Sequence, residues 1–97
     1  MLNKMRELVL TTYFIKAFKK LVKHNPILKQ KLDYVLEQMR QDVFANYLNT
    51  HKLTGELSGL LACSCGYDCR IIFSIHKNDN NQEVIVLHNI GTHKDVY

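Results

Sequence analysis

The sequence predicts an α+β fold in which a helical hairpin packs on a small, mainly antiparallel sheet, in the order βααβββ. Two consecutive stretches carry apolar residues at helical spacing, one apolar run precedes them, and three apolar or alternating runs separated by turn residues follow. With 97 residues the chain forms one domain, 1–97. A domain of this size buries roughly two thirds of its unfolded surface, so a core of two layers is expected.

Glu7-Leu8-Val9-Leu10-Thr11-Thr12 reads as a short first strand. Phe14, Phe18, Leu21 and Val22 then recur at i, i+4, i+7 and i+8, which predicts an amphipathic helix ending near His24-Asn25. Lys16, Lys19, Lys20 and Lys23 share another face of that helix as a basic stripe. Asn25 followed by Pro26 starts a second helix, because Asn can accept from a free helix amide and Pro lacks only an amide that would have no partner. Leu28, Leu32, Val35, Leu36 and Met39 keep the helical spacing to about Gln41, so the two helices should form a hairpin over one sheet face.

Periodicity fades from Asp42 to Gly59, and Asn49 to Gly55 reads as an exposed polar connection. Strands are expected at about Leu60 to Ser64, Asp68 to His76 and Glu83 to Ile90, joined by turns at Gly66-Tyr67 and at Asn78-Asp79-Asn80-Asn81.

Thirteen Lys and Arg against nine Asp and Glu give a formal charge of +4. That balance favours a polyanion or an acidic protein partner and is equally compatible with an ordinary basic protein. No run approaches the roughly 18 apolar residues of a membrane span, and Met1 to Leu10 lacks the apolar block of a signal peptide, so a cytoplasmic protein with no membrane partner is expected. Cys63, Cys65 and Cys69 are odd in number, which argues against a secreted disulfide framework. Their C-x-C-x₃-C spacing is poor for zinc, so no metal is expected. They read instead as small buried hydrophobes, with Cys63 and Cys65 on one sheet face.

The element order, together with His51-Lys52-Leu53-Thr54-Gly55, Gly66-Tyr67-Asp68-Cys69-Arg70-Ile71-Ile72-Phe73 and Ile90-Gly91-Thr92-His93-Lys94-Asp95-Val96-Tyr97, resembles the RelE/ParE toxin superfamily of bacterial toxin–antitoxin systems, and within it the YafQ-like branch. The resemblance spans nearly the whole chain. It implies a small cytoplasmic toxin held in a hetero-oligomer with a cognate antitoxin. In the RelE and YafQ branches the activity is cleavage of messenger RNA, usually on the ribosome, without a cofactor. The ParE branch poisons DNA gyrase instead, and a decayed, inactive member would only bind antitoxin and act as a co-repressor of its operon; these are the alternative readings. The YafQ-like pattern places functional residues on His51, Asp68 and His93, with Ser64 standing where that pattern has a further His. The RelE-like pattern adds Arg70 and Tyr97.

The residue types suit metal-free RNA cleavage, which needs deprotonation of a 2′-hydroxyl, charge stabilisation at phosphorus and protonation of the leaving 5′-oxygen. His93 can exchange a proton near neutral pH, and Gly91 before it is expected to let the backbone turn off the strand end. Arg70, carried on a strand, can bind a phosphate through paired donors or form an ion pair with Asp68 or Asp95. Asp68 can orient an imidazole or serve only its turn. Tyr97 can stack on a base or pack over the core. His51, Lys52 and Lys94, with the Lys16, Lys19, Lys20, Lys23 stripe, are candidate RNA contacts or solvated surface, with Lys29 and Lys31 as possible additions to the stripe.

Overall fold

Two side-chain caps set the helical layer in place. In the computed structural model, which describes residues 5–66 and 68–97, Thr11 follows strand β1 (Glu7–Leu10) and its hydroxyl oxygen accepts from the Phe14 amide at 3.1 Å. The same hydroxyl donates to the Leu87 carbonyl at 2.8 Å, so the cap of helix α1 (Thr12–Val22) is also a tie to the sheet. Asn25 accepts from the Leu28 amide at 3.1 Å and Pro26 opens helix α2 (Pro26–Asp42), as its sequence predicts. Both helices lie on one face of the sheet.

The sheet has five strands in the order β1-β5-β4-β3-β2, adding β2 (His51–Lys52), β3 (Leu61–Gly66), β4 (Cys69–Lys77) and β5 (Glu83–Gly91). β1 runs parallel to β5 and every other pair is antiparallel. Alternation along β4 and β5 turns Ile71, Phe73, Ile85 and Leu87 toward the helices, where they meet Phe14, Leu32 and Met39 with no exposed surface. The opposite face is open over much of its area. A smaller cluster of Ala62, Ile72 and Val96, flanked by Leu53 and Leu60, covers part of it.

Four expectations are corrected. The polar connection at Asn49 to Gly55 contains β2, which adds a fifth strand at the sheet edge, and 3₁₀ turns at Asn46–Leu48 and Gly55–Leu57 fill the non-periodic region. The C-terminal tail is a short helix, α3 (His93–Val96), capped by Thr92. Gly91 is still in β5 and is not in the left-handed region; a Cβ there would lie 3.0 Å from the Asp95 Cβ, so glycine is needed for the close approach of α3. The cysteines are not all free: Cys65 and Cys69 are joined by a disulfide across the β3–β4 connection, and Cys63 alone is a buried thiol. The turn expected at Gly66-Tyr67 lies partly outside the described residues. Among the described residues no helix is long and apolar enough to cross a membrane.

Candidate functional site

The site forms where β4 begins and β5 ends, on the open face. Arg70 pairs with Ser64 of β3 on one side and Gly91 of β5 on the other, and alternation puts it on the same face as Ile72. The chain then leaves β5, Thr92 caps α3, and Val96 packs on Ala62 and Ile72, which folds α3 back over that face. Thr92 and Asp95 form a reciprocal capping box, so the Asp95 carboxylate serves the helix start. Within this turn the His93 and Tyr97 rings meet edge to face, their centroids 4.4 Å apart. The Asp68 carboxylate accepts from the His93 amide at 3.3 Å, tying the start of β4 to the first residue of α3.

Arg70 donates from Nη1 to the Cys69 carbonyl at 2.9 Å. The three ion pairs among the described residues are Arg6–Glu83, Lys29–Asp33 and Arg40–Glu37, and none uses Arg70. The ion pair to Asp68 or Asp95 considered above is therefore not formed, and most of the guanidinium donors are left for an anion. Burial pushes the Tyr97 phenol above its ordinary pKa, with the nearby Arg70 charge opposing that shift. Tyr97 is thus a neutral donor or stacking surface at neutral pH rather than a base. Cys63 lies beneath the site with its thiol pushed up to about 12 by burial, again opposed by Arg70, so it is no nucleophile near neutrality.

His51 pairs with Ala62, which in turn pairs with Ile72, so it lies on the Arg70 face at the sheet edge two strands away. Its Nδ1 lies 2.8 Å from the Asn49 carbonyl, an acceptor, which fixes the proton on Nδ1 and leaves Nε2 as the basic nitrogen of the neutral ring. Lys52, the next residue, alternates to the other face. Lys94 is exposed on α3 beside His93. The basic stripe divides: Lys16 and Lys20 line a cavity of about 560 Å³ with Gly91 and Asp95, whereas Lys19 and Lys23 stay exposed outside it. Lys29 is held by Asp33 at 2.8 Å. Lys31 reaches a second cavity, one that Arg70 also lines.

The family model for YafQ, described as a bacterial toxin of type II toxin–antitoxin systems, matches residues 6–97. The chain belongs to the YafQ toxin family. Solved structures share its fold. YafQ from E. coli strain BL21(DE3) is similar with a TM-score of 0.75 at 16% identity, over 95% of this chain and 98% of that one. The YoeB/ParE toxin from Agrobacterium tumefaciens gives 0.73 at 13% identity, over 90% and 98%. A chain of the E. coli DinJ–YafQ toxin–antitoxin complex gives 0.73 at 17% identity, over 96% and 98%. Comparison with curated proteins gives no match.

Against its YafQ-family pattern the chain has Ser64, not an imidazole, in the row beside Arg70. Two groups near or beyond the site were not legible as such. Tyr34 and Tyr47 border the second cavity beside Arg70. Tyr34 lies off the apolar stripe of α2, and an aromatic on the polar side of a helix was the available signal. Farther along the open face the buried Ser74 hydroxyl lies 2.7 Å from Nε2 of both His76 and His88. A hydroxyl has one proton to donate, so at least one ring must donate its own to the oxygen.

Proposed function

We propose that this YafQ-family toxin is a metal-independent endoribonuclease that cleaves messenger RNA on the ribosome and is held inactive in the cytoplasm by a cognate antitoxin. The single observation that carries the reading is the convergence of Arg70, His93 and Tyr97, with Asp68 bonded to the His93 amide, at one end of an otherwise open sheet face. Attack of a 2′-hydroxyl on the adjacent phosphorus builds negative charge on the phosphoryl oxygens, and Arg70 is suited to hold it through paired donors. His93 supplies one of the two proton transfers, Tyr97 stacks on or hydrogen-bonds the substrate, and Asp68 positions the first turn of α3. His51 offers a second imidazole from the edge of the same face. Lys94, Lys16 and Lys20 bind neighbouring phosphates, and Lys19, Lys23 and Lys52 add to the general attraction for RNA. No step calls for a cofactor. The +4 charge suits an antitoxin with acidic flanks, which would speed association.

Primer extension on translated messenger RNA, alongside purified single-stranded RNA in excess chelator, tests this reading. The expected products carry a 2′,3′-cyclic phosphate and a 5′-hydroxyl, and chelator leaves cleavage of free RNA intact. No cut in either setting, together with inhibition of DNA gyrase supercoiling, would replace the nuclease with the gyrase-poisoning alternative. Activity lost in chelator and restored by one metal would end the metal-independent mechanism.

A further inference from the structure

Apart from Arg70, the residues lining the second cavity take no direct part in the cleavage chemistry proposed above. It measures about 750 Å³ and opens between α2, the Asn46–Leu48 turn and the adjoining ends of β3 and β4. Small-ligand sites span roughly 300–1,000 Å³, so a nucleotide fits. Two aromatic rings, Tyr34 and Tyr47, stand at its rim with 63% and 58% of their surface exposed, although Phe14 and Phe73 in the same chain have none. The Tyr47 hydroxyl donates to the Gln38 side chain, and the adjacent Leu48 is buried, so the Tyr47 ring is held outward from both sides. Desolvation and then the neighbouring Tyr34 raise the Tyr47 pKa, which keeps the Tyr47 phenol neutral for stacking.

The charge of the lining decides what kind of occupant suits it. Lys31 and Arg70 contribute two cations, and among the described residues the lining contains no Asp or Glu. Gln30, Asn49 and Ser64 add polar groups able to meet base edges or sugar hydroxyls. Cations beside exposed aromatic faces are the combination with which proteins hold single-stranded nucleic acid, phosphates on the charges and bases on the rings. Arg70 also lies near Tyr97, so it is the residue that the cavity and the His93–Tyr97 cluster share, and a strand whose reacting phosphate lies on Arg70 would pass round the joined ends of β3 and β4 to reach the α2 side.

We propose that this cavity is a subsite for a nucleotide of single-stranded RNA flanking the scissile phosphate, its base stacked on Tyr34 or Tyr47 and its phosphate shared between Lys31 and Arg70. The proposal rests on the ribonuclease reading and names where the substrate strand runs. It makes the two tyrosines binding residues, not catalytic ones.

The probe is a hexaribonucleotide with 2′-O-methyl sugars, which lack the attacking hydroxyl, carrying 2-aminopurine, whose fluorescence is quenched on stacking. The wild-type chain should bind it with quenching. Tyr34→Leu and Tyr47→Leu should each weaken binding by about tenfold, near the low end for loss of a stacked ring, and reduce the quench; Tyr34→Phe should stay within about twofold because the ring remains. Leucine variants that bind and quench like wild type overturn the subsite, as does a wild-type chain that does not bind the probe. Leucine variants that lose antitoxin affinity while keeping RNA affinity assign the cavity to the protein partner and overturn it as well. Cleavage of unmodified RNA, both free and on translating ribosomes, is measured in parallel. Tyrosine-dependent binding without cleavage sinks the nuclease reading and supports the subsite, whereas cleavage with tyrosine-independent binding does the reverse.

Discussion

The two faces of the sheet divide the work of the molecule. On the helix-covered face, Ile71, Phe73, Ile85 and Leu87 meet Phe14, Leu32 and Met39 with no solvent exposure. On the open face, among the described residues, Ala62, Ile72 and Val96 are buried as a small apolar cluster, and around them lie Arg70, His51, His93 and Tyr97. The same strand supplies both sides. Along β4 the odd positions face the core, and Arg70, Ile72, Ser74 and His76 face the other way. On the proposed reading, stability and chemistry are separated by one residue of sequence and a whole sheet in space, and substitutions at neighbouring positions should have unlike effects.

The largest effect is expected on the covered face. Phe73→Ala removes a ring with zero exposure and should cost about 3–5 kcal/mol, a large part of the roughly 5–15 kcal/mol that holds a domain together. Urea denaturation at constant antitoxin-free concentration measures it. A cost under about 1 kcal/mol would mean that the helical layer is not what holds this sheet.

On the open face Arg70→Ala should reverse the pattern. The side chain is only half-buried and in no ion pair among the described residues, so the stability change should stay under about 1 kcal/mol. Cleavage should fall at least about 10²-fold, equivalent to roughly 3 kcal/mol of transition-state stabilisation, and His93→Ala should match it through loss of a proton-transfer group. If either variant unfolds as readily as Phe73→Ala, the division between the faces fails. If both fold and cleave normally, they leave the mechanism.

Gly91→Ala should show both effects at once, because α3 joins the faces. The added Cβ would lie 3.0 Å from the Asp95 Cβ and 3.5 Å from Val96 Cγ1, so α3 must shift away from β5. Overpacking of this kind costs about 1–3 kcal/mol, and here the displaced helix carries His93 and Tyr97. Cleavage should therefore drop with the antitoxin-free fold still largely populated. Unchanged cleavage would show that the close approach of α3 to β5 does not position the site.

How much of this was legible depended on length and locality. Both long helices could be read because Thr11 and Asn25 act on amides three residues away and their apolar stripes run for several turns. β4 and β5 could be read because each nine-residue strand carries an apolar run, Ile71-Ile72-Phe73 and Val84-Ile85-Val86-Leu87, with a polar turn between them. Two-residue β2 and four-residue α3 have no period to detect, although Thr92-His93-Lys94-Asp95 carries the spacing of a capping box. The placement of Arg70, Asp68 and His93 together at one end of the sheet could be anticipated from strand ends and the family pattern. That Lys52 would turn away from His51 depended on β2 pairing, which the chain shows only when folded. The Cys65–Cys69 bond similarly depends on the irregular pairing of Gly66 with Cys69, and the cavity beneath Tyr34 and Tyr47 on elements distant in sequence.

The smallest expected effects are in pH dependence, and they too differ by face. On the covered face Cys63 is held as a neutral thiol, its pKa raised from 9.0 to about 12, first by burial. The unfolded chain gives up that proton near pH 9 and the folded chain does not. Stability from this group is present below pH 9 and should fall by about 1 kcal/mol by pH 10, continuing downward toward pH 12. On the open face burial and then the neighbouring His76 push the His88 imidazole below its ordinary 6.5, while Ser74 bonds both rings. Here the unfolded chain takes up the proton first as pH falls. Stability from His88 is therefore present above about pH 6.5 and lost below it, levelling off beneath the lower folded value. His88 keeps some contact with solvent, so its step should be the lesser of the two. Urea midpoints of wild type, Cys63→Ala and His88→Gln across pH 5 to 10.5 separate the arms: Cys63→Ala should flatten only the alkaline fall and His88→Gln only the acid one. Loss of both falls in a single variant would mean that the two faces unfold through a shared titration, and the separation drawn between them would be wrong.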